Sequence, residues 1–297
     1  MSVLTGPGEG EPMARAKTAG DTAATGPHGS TRRRELSGSS TRSVWGRVTG
    51  DRVLALMTPA LLLVVWELLV RTGLVDSRFF PAPTTIFASM WEMILSGELV
   101  THLLASLQRL FFGFWLGLVP ALALGVAMGL SRSVRAAVMP LISGTYPIPK
   151  SALLPLILLI FGLGEMSKVV MVAIGVFYPV VLNTVSGVVQ VQPIYYDVAS
   201  NFGARRWRVF RTVALPGAMP SILTGVELGL GLGLILIAIA EMVGAQSGIG
   251  YMIWNAWQLY SVETMYVGLL TIAVIGYLLS LLLKEVSRLL MPWSQSR

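Results

Sequence analysis

The sequence predicts an all-α, polytopic membrane protein with six transmembrane helices and both termini in the cytoplasm. Of its 297 residues, 54% are hydrophobic and 12% are charged, whereas soluble domains carry about 25% charged residues. Several apolar stretches also reach the ~20 residues that a helix needs to cross a bilayer. The chain has 0 cysteines and 2 histidines, which excludes thiolate metal sites and leaves too few histidines for a histidine metal cluster.

Residues 1–50 differ in composition from the rest, because they are rich in small and polar residues and poor in bulky apolar ones. Such a segment buries too little apolar surface to offset the entropy of ordering it, so we expect a disordered cytoplasmic tail. The arginines at 32–34 could instead indicate nucleic-acid binding or an export signal, but the apolar run that follows is too long for a signal-peptide core. We therefore divide the chain into a tail, 1–50, and a transmembrane domain, 51–297.

Six apolar runs account for the predicted transmembrane helices. Five of them are continuous: 53–70, 111–130, 169–189, 222–243 and 266–283. The sixth, 136–163, is interrupted by prolines and by Lys150. Broken backbone is tolerated at membrane depth only where protein buries it or where it lines a cavity. This segment is therefore expected inside the helix bundle, near a pathway.

The distribution of basic residues supports six spans. With the N-terminus inside, the inner segments carry more Lys and Arg than the outer loops, as the positive-inside rule requires. The densest basic group falls in the longest inner loop, 190–221, and consists of Arg205, Arg206, Arg208 and Arg211. Five spans would place either this group or the N-terminal arginines on the outer side.

Two further patterns concern packing. Glycine pairs four residues apart place small residues on one helix face, which lets helices approach closely; they are Gly113/Gly117, Gly125/Gly129, Gly225/Gly229 and Gly229/Gly233. In the outer loop, residues 84–95 have the apolar spacing of an amphipathic helix. That helix either lies in the membrane interface or packs on the protein.

The inner loop contains a motif at fixed spacing. Asp197-Val198-Ala199 is followed after three residues by Gly203, and nine residues later by Val213-Ala214-Leu215-Pro216. The motif resembles the signature loop of bacterial binding-protein-dependent ABC transporter permeases, Glu-Ala-Ala, three residues, Gly, nine residues, Ile-x-Leu-Pro. The spacing agrees throughout, with Asp197 in place of Glu and Val213 in place of Ile.

Other segments extend the resemblance to about residues 53–290. The run 106–113 resembles the opening of the permease domain, and three later segments resemble the nitrate, sulfonate and taurine branch: 147–156, 161–165 and 240–251. The resemblance implies a bacterial inner-membrane permease of an ATP-driven importer, carrying a small oxyanion such as a sulfonate, taurine or nitrate. Other members of that branch carry pyrimidine-type vitamin precursors.

The resemblance also implies partners. These are a separate ABC ATPase subunit, an extracytoplasmic solute-binding protein, a second permease copy in a homodimer, and membrane lipid, with neither a nucleic acid nor a cofactor. The sequence independently requires a separate ATPase for ATP-driven transport, because no lysine follows a glycine and a phosphate-binding P-loop is therefore absent.

The inner loop is the predicted coupling loop to that ATPase. Its residues are expected to form a short helix over 195–202 that ends at Gly203, followed by a basic segment. Alternatively, the arginines serve only to fix the topology. The resemblance assigns the coupling role to Asp197, Ala199, Gly203, Arg205, Arg206, Val213, Leu215 and Pro216.

Ionisable residues inside the spans are candidates for the pathway, because they are costly in lipid. These candidates are Glu241, Glu227 and Lys150. Glu241 could instead reach the interface or pair internally, and Lys150 could bond the carbonyls that the prolines free. An ion-gradient-driven secondary transporter is the alternative function, although it would usually show internal repeats. A catalytic or metal constellation is not visible in the spans, so we do not predict an enzyme.

Overall fold

The structure is a computed structural model that describes the backbone of residues 44–294 and the side chains of residues 57–293 other than Arg206. Most of the predicted tail therefore lies outside the described residues. The described residues from Leu56 onward form one compact unit. Its two ends are named from the predicted topology: the inner end holds Arg205, and the outer end is opposite.

The described backbone consists of helices joined by turns and short loops, with no strand among the described residues, as the predicted all-α class requires. Its α-helices are α1 (Val44–Arg71), α2 (Pro83–Leu95), α3 (Glu98–Leu130), α4 (Arg132–Thr145), α5 (Leu154–Phe161), α6 (Glu165–Val189), α7 (Pro193–Asn201), α8 (Arg206–Val209), α9 (Leu215–Met242), α10 (Ile249–Gln258) and α11 (Val262–Leu290). A 3₁₀ turn, Lys150–Leu153, precedes α5, and a π-helical turn, Phe210–Ala214, joins α8 to α9.

Within the described residues, four helices are long and apolar enough to cross a membrane: Glu98–Leu130, Glu165–Val189, Trp207–Met242 and Val262–Leu290. Helix α4 and the segment Lys150–Phe161 meet at 88°, and they add a fifth span if the bent pair is counted as one. The predicted span at 53–70 includes residues whose side chains are not described. The count of six and the cytoplasmic position of both termini therefore stay predictions.

Glycine contacts fix the directions of the central helices. Gly113 of α3 faces Val172 of α6, and Gly129 faces Val188, so α3 and α6 run parallel. Helix α9 runs antiparallel to α6, because its Gly225 lies beside Pro179 while its Gly233 lies beside Val172. Since α3 and α6 are parallel, the bent segment between them must return the chain from the inner end to the outer end.

The core centres on α6, which packs between α3 and α9. A row of α6 valines is fully buried there: Val172, Val176, Val180 and Val181. A Cβ added at Gly225 would lie 2.7 Å from Cβ of Asn183 and 2.9 Å from the carbonyl oxygen of Pro179. Helix association in lipid depends on such close packing rather than on the hydrophobic effect. The glycine pairs therefore let α3, α6 and α9 approach closely, as their spacing predicts.

At the outer end, α2 and α10 pack with α11 around a second apolar cluster that includes Ile86, Ile253 and Val267. Helix α2 buries one face in this cluster and leaves Phe87 and Trp91 exposed. One face of this helix therefore packs on the protein, and its position in the membrane interface stays a prediction. The sequence analysis does not predict α10, which is too short to give a span signal.

Candidate functional site

The inner loop begins with α7, whose ends are set by two residue types. Pro193 occupies the first turn, where a missing N–H costs nothing. At the other end, Gly203 has φ of +68°. Its N–H donates to the carbonyl of Ser200 (2.9 Å) and the N–H of Ala204 donates to that of Ala199 (3.0 Å). This pair of bonds is the Schellman motif, which favours glycine at the left-handed position.

The second half of the loop is more helical than the sequence predicts. The helix resumes at Arg206, so the predicted loop 190–221 is irregular only at its short connections. A proline inside a helix clashes with the carbonyl four residues earlier. Just before Pro216, the N–H of Leu215 donates to the carbonyl of Phe210 across a wider π turn. The π turn covers Phe210–Ala214 and so overlaps the Val213-x-Leu215-Pro216 part of the motif.

Exposed side chains at the inner end form a surface that we call the inner face: Val198, Phe202, Arg205, Trp207, Arg208 and Arg211. Phe202 is 87% exposed and Trp207 is 71% exposed. Among the described residues, the three arginines take part in none of the salt bridges. Exposed aromatic rings beside free guanidinium groups suit binding to a protein surface with apolar and acidic groups.

The other residues of the coupling motif are neighbours of the inner-face residues in the sequence. Asp197 is exposed on α7, whereas Ala199, Val213, Leu215 and Pro216 are half-buried. The side chain of Arg206 lies outside the described residues. Beside them on α7, burial raises the pKa of the Tyr196 phenol above its usual value, so this residue stays neutral at physiological pH.

The pathway candidate Glu241 is buried at the outer end of α9, where both of its oxygens are bonded. Oε1 accepts from Nη1 of Arg109 (2.8 Å), Oε2 accepts from the N–H of Gly250 (3.0 Å), and the Ser106 hydroxyl lies 2.8 Å from each oxygen. In this structure Glu241 therefore ties α3, α9 and α10 together. Its exposure to a pathway stays a prediction.

The other two candidates lie elsewhere. Nζ of Lys150 donates to the carbonyls of Thr145 (2.9 Å) and Tyr146 (3.1 Å) and sits 3.9 Å from the ring centre of Tyr178. This is the carbonyl-bonding alternative given for it, at the end of α4. Glu227 is exposed and accepts a hydrogen bond from Ser280 on α11 (3.2 Å). The structure therefore does not gather the three candidates into one site.

The residues that surround Glu241 are not predicted from the sequence. Arg109 and Lys168 are buried, and Glu165 bonds the guanidinium of Arg109. Lys168 lies in the first turns of α6, one residue before the predicted span 169–189. The available signal was helical spacing, since Ser106 and Arg109, like Glu165 and Lys168, are three residues apart. Among the described residues, no group of three or more His, Asp or Glu is placed to hold a metal ion.

Comparison with known proteins identifies the fold and the family. Residues 113–293 match the family described as binding-protein-dependent transport system inner membrane component. The inward-facing MetNI methionine ABC transporter has a similar fold, with a TM-score of 0.54 and 20% identity over 63% of this chain and 93% of that one.

Three relatives are similar over most of their length. The Escherichia coli taurine transport system permease is 35% identical, covering 81% of this chain and 89% of the relative. A Bacillus subtilis protein named as a putative aliphatic sulfonates transport permease is 34% identical, covering 81% of this chain and 87% of the relative. The riboflavin transport system permease of Chloroflexus aurantiacus is 34% identical, covering 81% of this chain and 90% of the relative.

These matches leave the ion-gradient alternative without support, and they place the chain in a transport family rather than an enzyme family. Members of the family work with an ATPase and a substrate-binding protein. The chain belongs to the binding-protein-dependent transport system inner membrane components, and it is a multi-pass permease subunit of an ABC transporter in the inner membrane.

Proposed function

We propose that this permease imports a small organic sulfonate such as taurine, with two identical copies forming the pathway. The carrying observation is that the taurine and aliphatic sulfonates permeases align with 81% of this chain at 35% and 34% identity. The riboflavin permease aligns as well at 34%, so riboflavin is the second candidate substrate. On this proposal the chain catalyses no bond chemistry, and ATP hydrolysis takes place on the partner subunit.

We further propose that the inner face is where the ATPase docks. Its aromatic residues, Phe202 and Trp207, would lose exposed apolar surface on binding, and its arginines would meet acidic groups of the partner. The Schellman turn at Gly203 holds α7 and the basic segment in a fixed relation. The motif glycine matters here through its left-handed backbone, since a Cβ at this position would meet nothing within 4 Å.

The docking proposal is tested by comparing Gly203→Asp with Gly73→Asp. Both glycines have φ near +70° and open space at Cβ, so both variants carry the same backbone strain and the same new charge. Gly73 lies between α1 and α2 at the outer end. We expect the Gly203 variant to insert normally but to lose association with the ATPase in a pull-down. Equal association of both variants would contradict the proposal.

The substrate proposal is tested in proteoliposomes that contain the permease, its ATPase and its binding protein. Taurine or a short alkanesulfonate should stimulate ATP hydrolysis and accumulate inside, whereas riboflavin should do neither. Homodimer formation is read from the mass of the purified complex. Stimulation by riboflavin alone would replace the sulfonate assignment with the second candidate.

A further inference from the structure

Four ionisable side chains meet at the outer ends of α3, α6 and α9: Arg109, Glu165, Lys168 and Glu241. Three of them are buried, whereas the side chain of Glu165 is 68% exposed. Buried charges are rare unless they are paired. Glu165 is therefore the one member of this cluster whose side chain is exposed.

The guanidinium of Arg109 divides its donors between a buried side and an outward side. On the buried side, Nη1 donates to Oε1 of Glu241 (2.8 Å) and to the carbonyl of Ser247 (2.7 Å). On the outward side, Nε and Nη2 bind the two oxygens of Glu165, with 2.8 Å between Nη2 and Oε1, and Nη2 also donates to the Ser247 hydroxyl (3.0 Å). We call this Nε/Nη2 pair the outward fork. Bidentate contact of this kind suits any planar or tetrahedral oxyanion.

The buried part of the cluster carries a net positive charge. Arg109 and Lys168 are cations, and Glu241 is the only buried anion beside them in the described part of the chain. Nζ of Lys168 donates to the carbonyls of Leu163 (2.8 Å) and Gly164 (3.0 Å), with Gly244 at 3.4 Å, rather than to a carboxylate. One negative charge is therefore needed from outside the buried group, and Glu165 supplies it.

The two carboxylates of the cluster differ in how firmly they are held. Glu241 is hydrogen-bonded by Ser106, Arg109 and Gly250 and is only 1% exposed. Glu165 is exposed, and among the described residues its carboxylate is hydrogen-bonded only by the outward fork. It also follows a turn with Gly162 at φ of +74°. Glu165 is therefore the carboxylate that already contacts its surroundings, whereas Glu241 is held by three partners inside the protein.

We propose that the outward fork of Arg109 is an anion-binding site for the transported sulfonate, and that Glu165 occupies it as an exchangeable carboxylate. A sulfonate presents two oxygens to the fork and carries the same single charge, so exchange keeps the cluster neutral. This inference rests on the proposed sulfonate import and adds a binding residue in the permease itself. Glu165 acts as an internal competitor that the incoming anion must displace.

The test removes the competitor and measures anion binding to the full-length permease in complex with its ATPase. Glu165→Ala vacates the fork, and Glu263→Ala is the matched control, because Glu263 is an exposed acidic residue in the first turn of α11. Thermal unfolding is followed against the concentration of methanesulfonate, of neutral dimethyl sulfone, of sulfate and of chloride. Glu165→Ala removes an exposed side chain and leaves the buried Arg109–Glu241 pair in place, so the variant is expected to fold.

We expect methanesulfonate to raise the melting temperature of Glu165→Ala saturably, with an apparent Kd about tenfold lower than for wild type. A tenfold difference corresponds to a fork that Glu165 fills about nine-tenths of the time. Glu263→Ala should respond like wild type, and dimethyl sulfone should have no effect on any variant. Adding Arg109→Lys to Glu165→Ala should abolish the response, because lysine keeps the charge but lacks the fork.

Two outcomes would overturn the proposal. An equal response of Glu165→Ala and Glu263→Ala would show that the fork does not bind the anion. An equal response to chloride would show that charge alone is recognised, and not the pair of oxygens that an oxyanion presents, whereas some response to sulfate is expected of a fork that binds oxyanions. Failure of the import proposal is recognised separately, because taurine uptake by the wild-type transporter would then be absent while the fork could still bind methanesulfonate.

Discussion

The two ends of the helix bundle use arginine in opposite ways. At the outer end, Arg109 is buried and every side of its guanidinium is bonded within the chain. At the inner end, Arg205, Arg208 and Arg211 are exposed, and none forms a salt bridge among the described residues. The first arginine joins helices of this chain, whereas the others are available to a partner.

This difference teaches that residue type alone does not identify a functional arginine in a membrane protein. A buried, fully bonded cation is expected to affect folding first, because its partners would be left uncompensated. An exposed cation is expected to affect association and little else. Variants at the two ends should therefore separate stability from assembly.

The largest effect is expected for Arg109→Ala. Truncation leaves Glu241 as an uncompensated buried charge, which costs about 3–5 kcal/mol in folding free energy. The measurement is thermal or denaturant unfolding of the purified protein in detergent. As a control, Arg78→Ala removes an exposed arginine that pairs with Asp76 in the loop after α1, and it should leave the midpoint almost unchanged.

A double-mutant cycle measures how much Arg109 and Glu241 stabilise each other. The double variant Arg109→Ala with Glu241→Ala should lose less stability than the sum of the two single variants, since each removes the charge that the other leaves unpaired. Strict additivity would mean that the two side chains do not stabilise each other.

A smaller loss of stability is expected at the contact between α6 and α9, two helices that run between the inner and outer ends. Gly225→Ala places a methyl group 2.9 Å from the carbonyl oxygen of Pro179 and 3.2 Å from Cα of Val180. Backbone cannot yield as a side chain does, so we expect a loss of about 1–3 kcal/mol in unfolding free energy.

Gly231→Ala is the matched control, in the same helix α9. Its added methyl group meets nothing within 4 Å, and alanine favours a helix over glycine by up to about 1 kcal/mol. The control should therefore be neutral or stabilising. A destabilisation equal to that of Gly225→Ala would show that the effect comes from glycine itself and not from the helix contact.

Lys150 offers an intermediate case between a structural and a functional cation. Lys150→Met removes two hydrogen bonds to the end of α4 and the contact with the ring of Tyr178. We expect a loss of about 1–2 kcal/mol in stability. Lys284→Met, at an exposed position of α11, should cost less. If Lys150→Met instead keeps its stability and loses taurine uptake, the pathway role predicted from the sequence is favoured.

The sequence predicts the helices and the inner motif well because both depend on local signals. Apolar runs, glycine spacing and the Gly203 stop each follow from neighbouring residues. The ion cluster depends instead on contacts between positions far apart, such as Ser106 with Glu241. A single sequence shows that these residues are polar within apolar segments. It does not show that three helices bring them together, so the sequence alone does not identify Arg109 as the partner of Glu241.

The smallest effect on stability is expected at the inner face. Arg208→Gln together with Arg211→Gln should change the unfolding free energy by no more than about 0.5 kcal/mol per site, as for other surface substitutions. The same variant should weaken association with the ATPase, and the loss should shrink at high salt, where exposed charges are screened. Arg71→Gln and Arg78→Gln at the outer end are the control and should leave association unchanged. Loss of association in the control as well would indicate a general effect of net charge, and the contrast between the two ends would then lose its functional meaning.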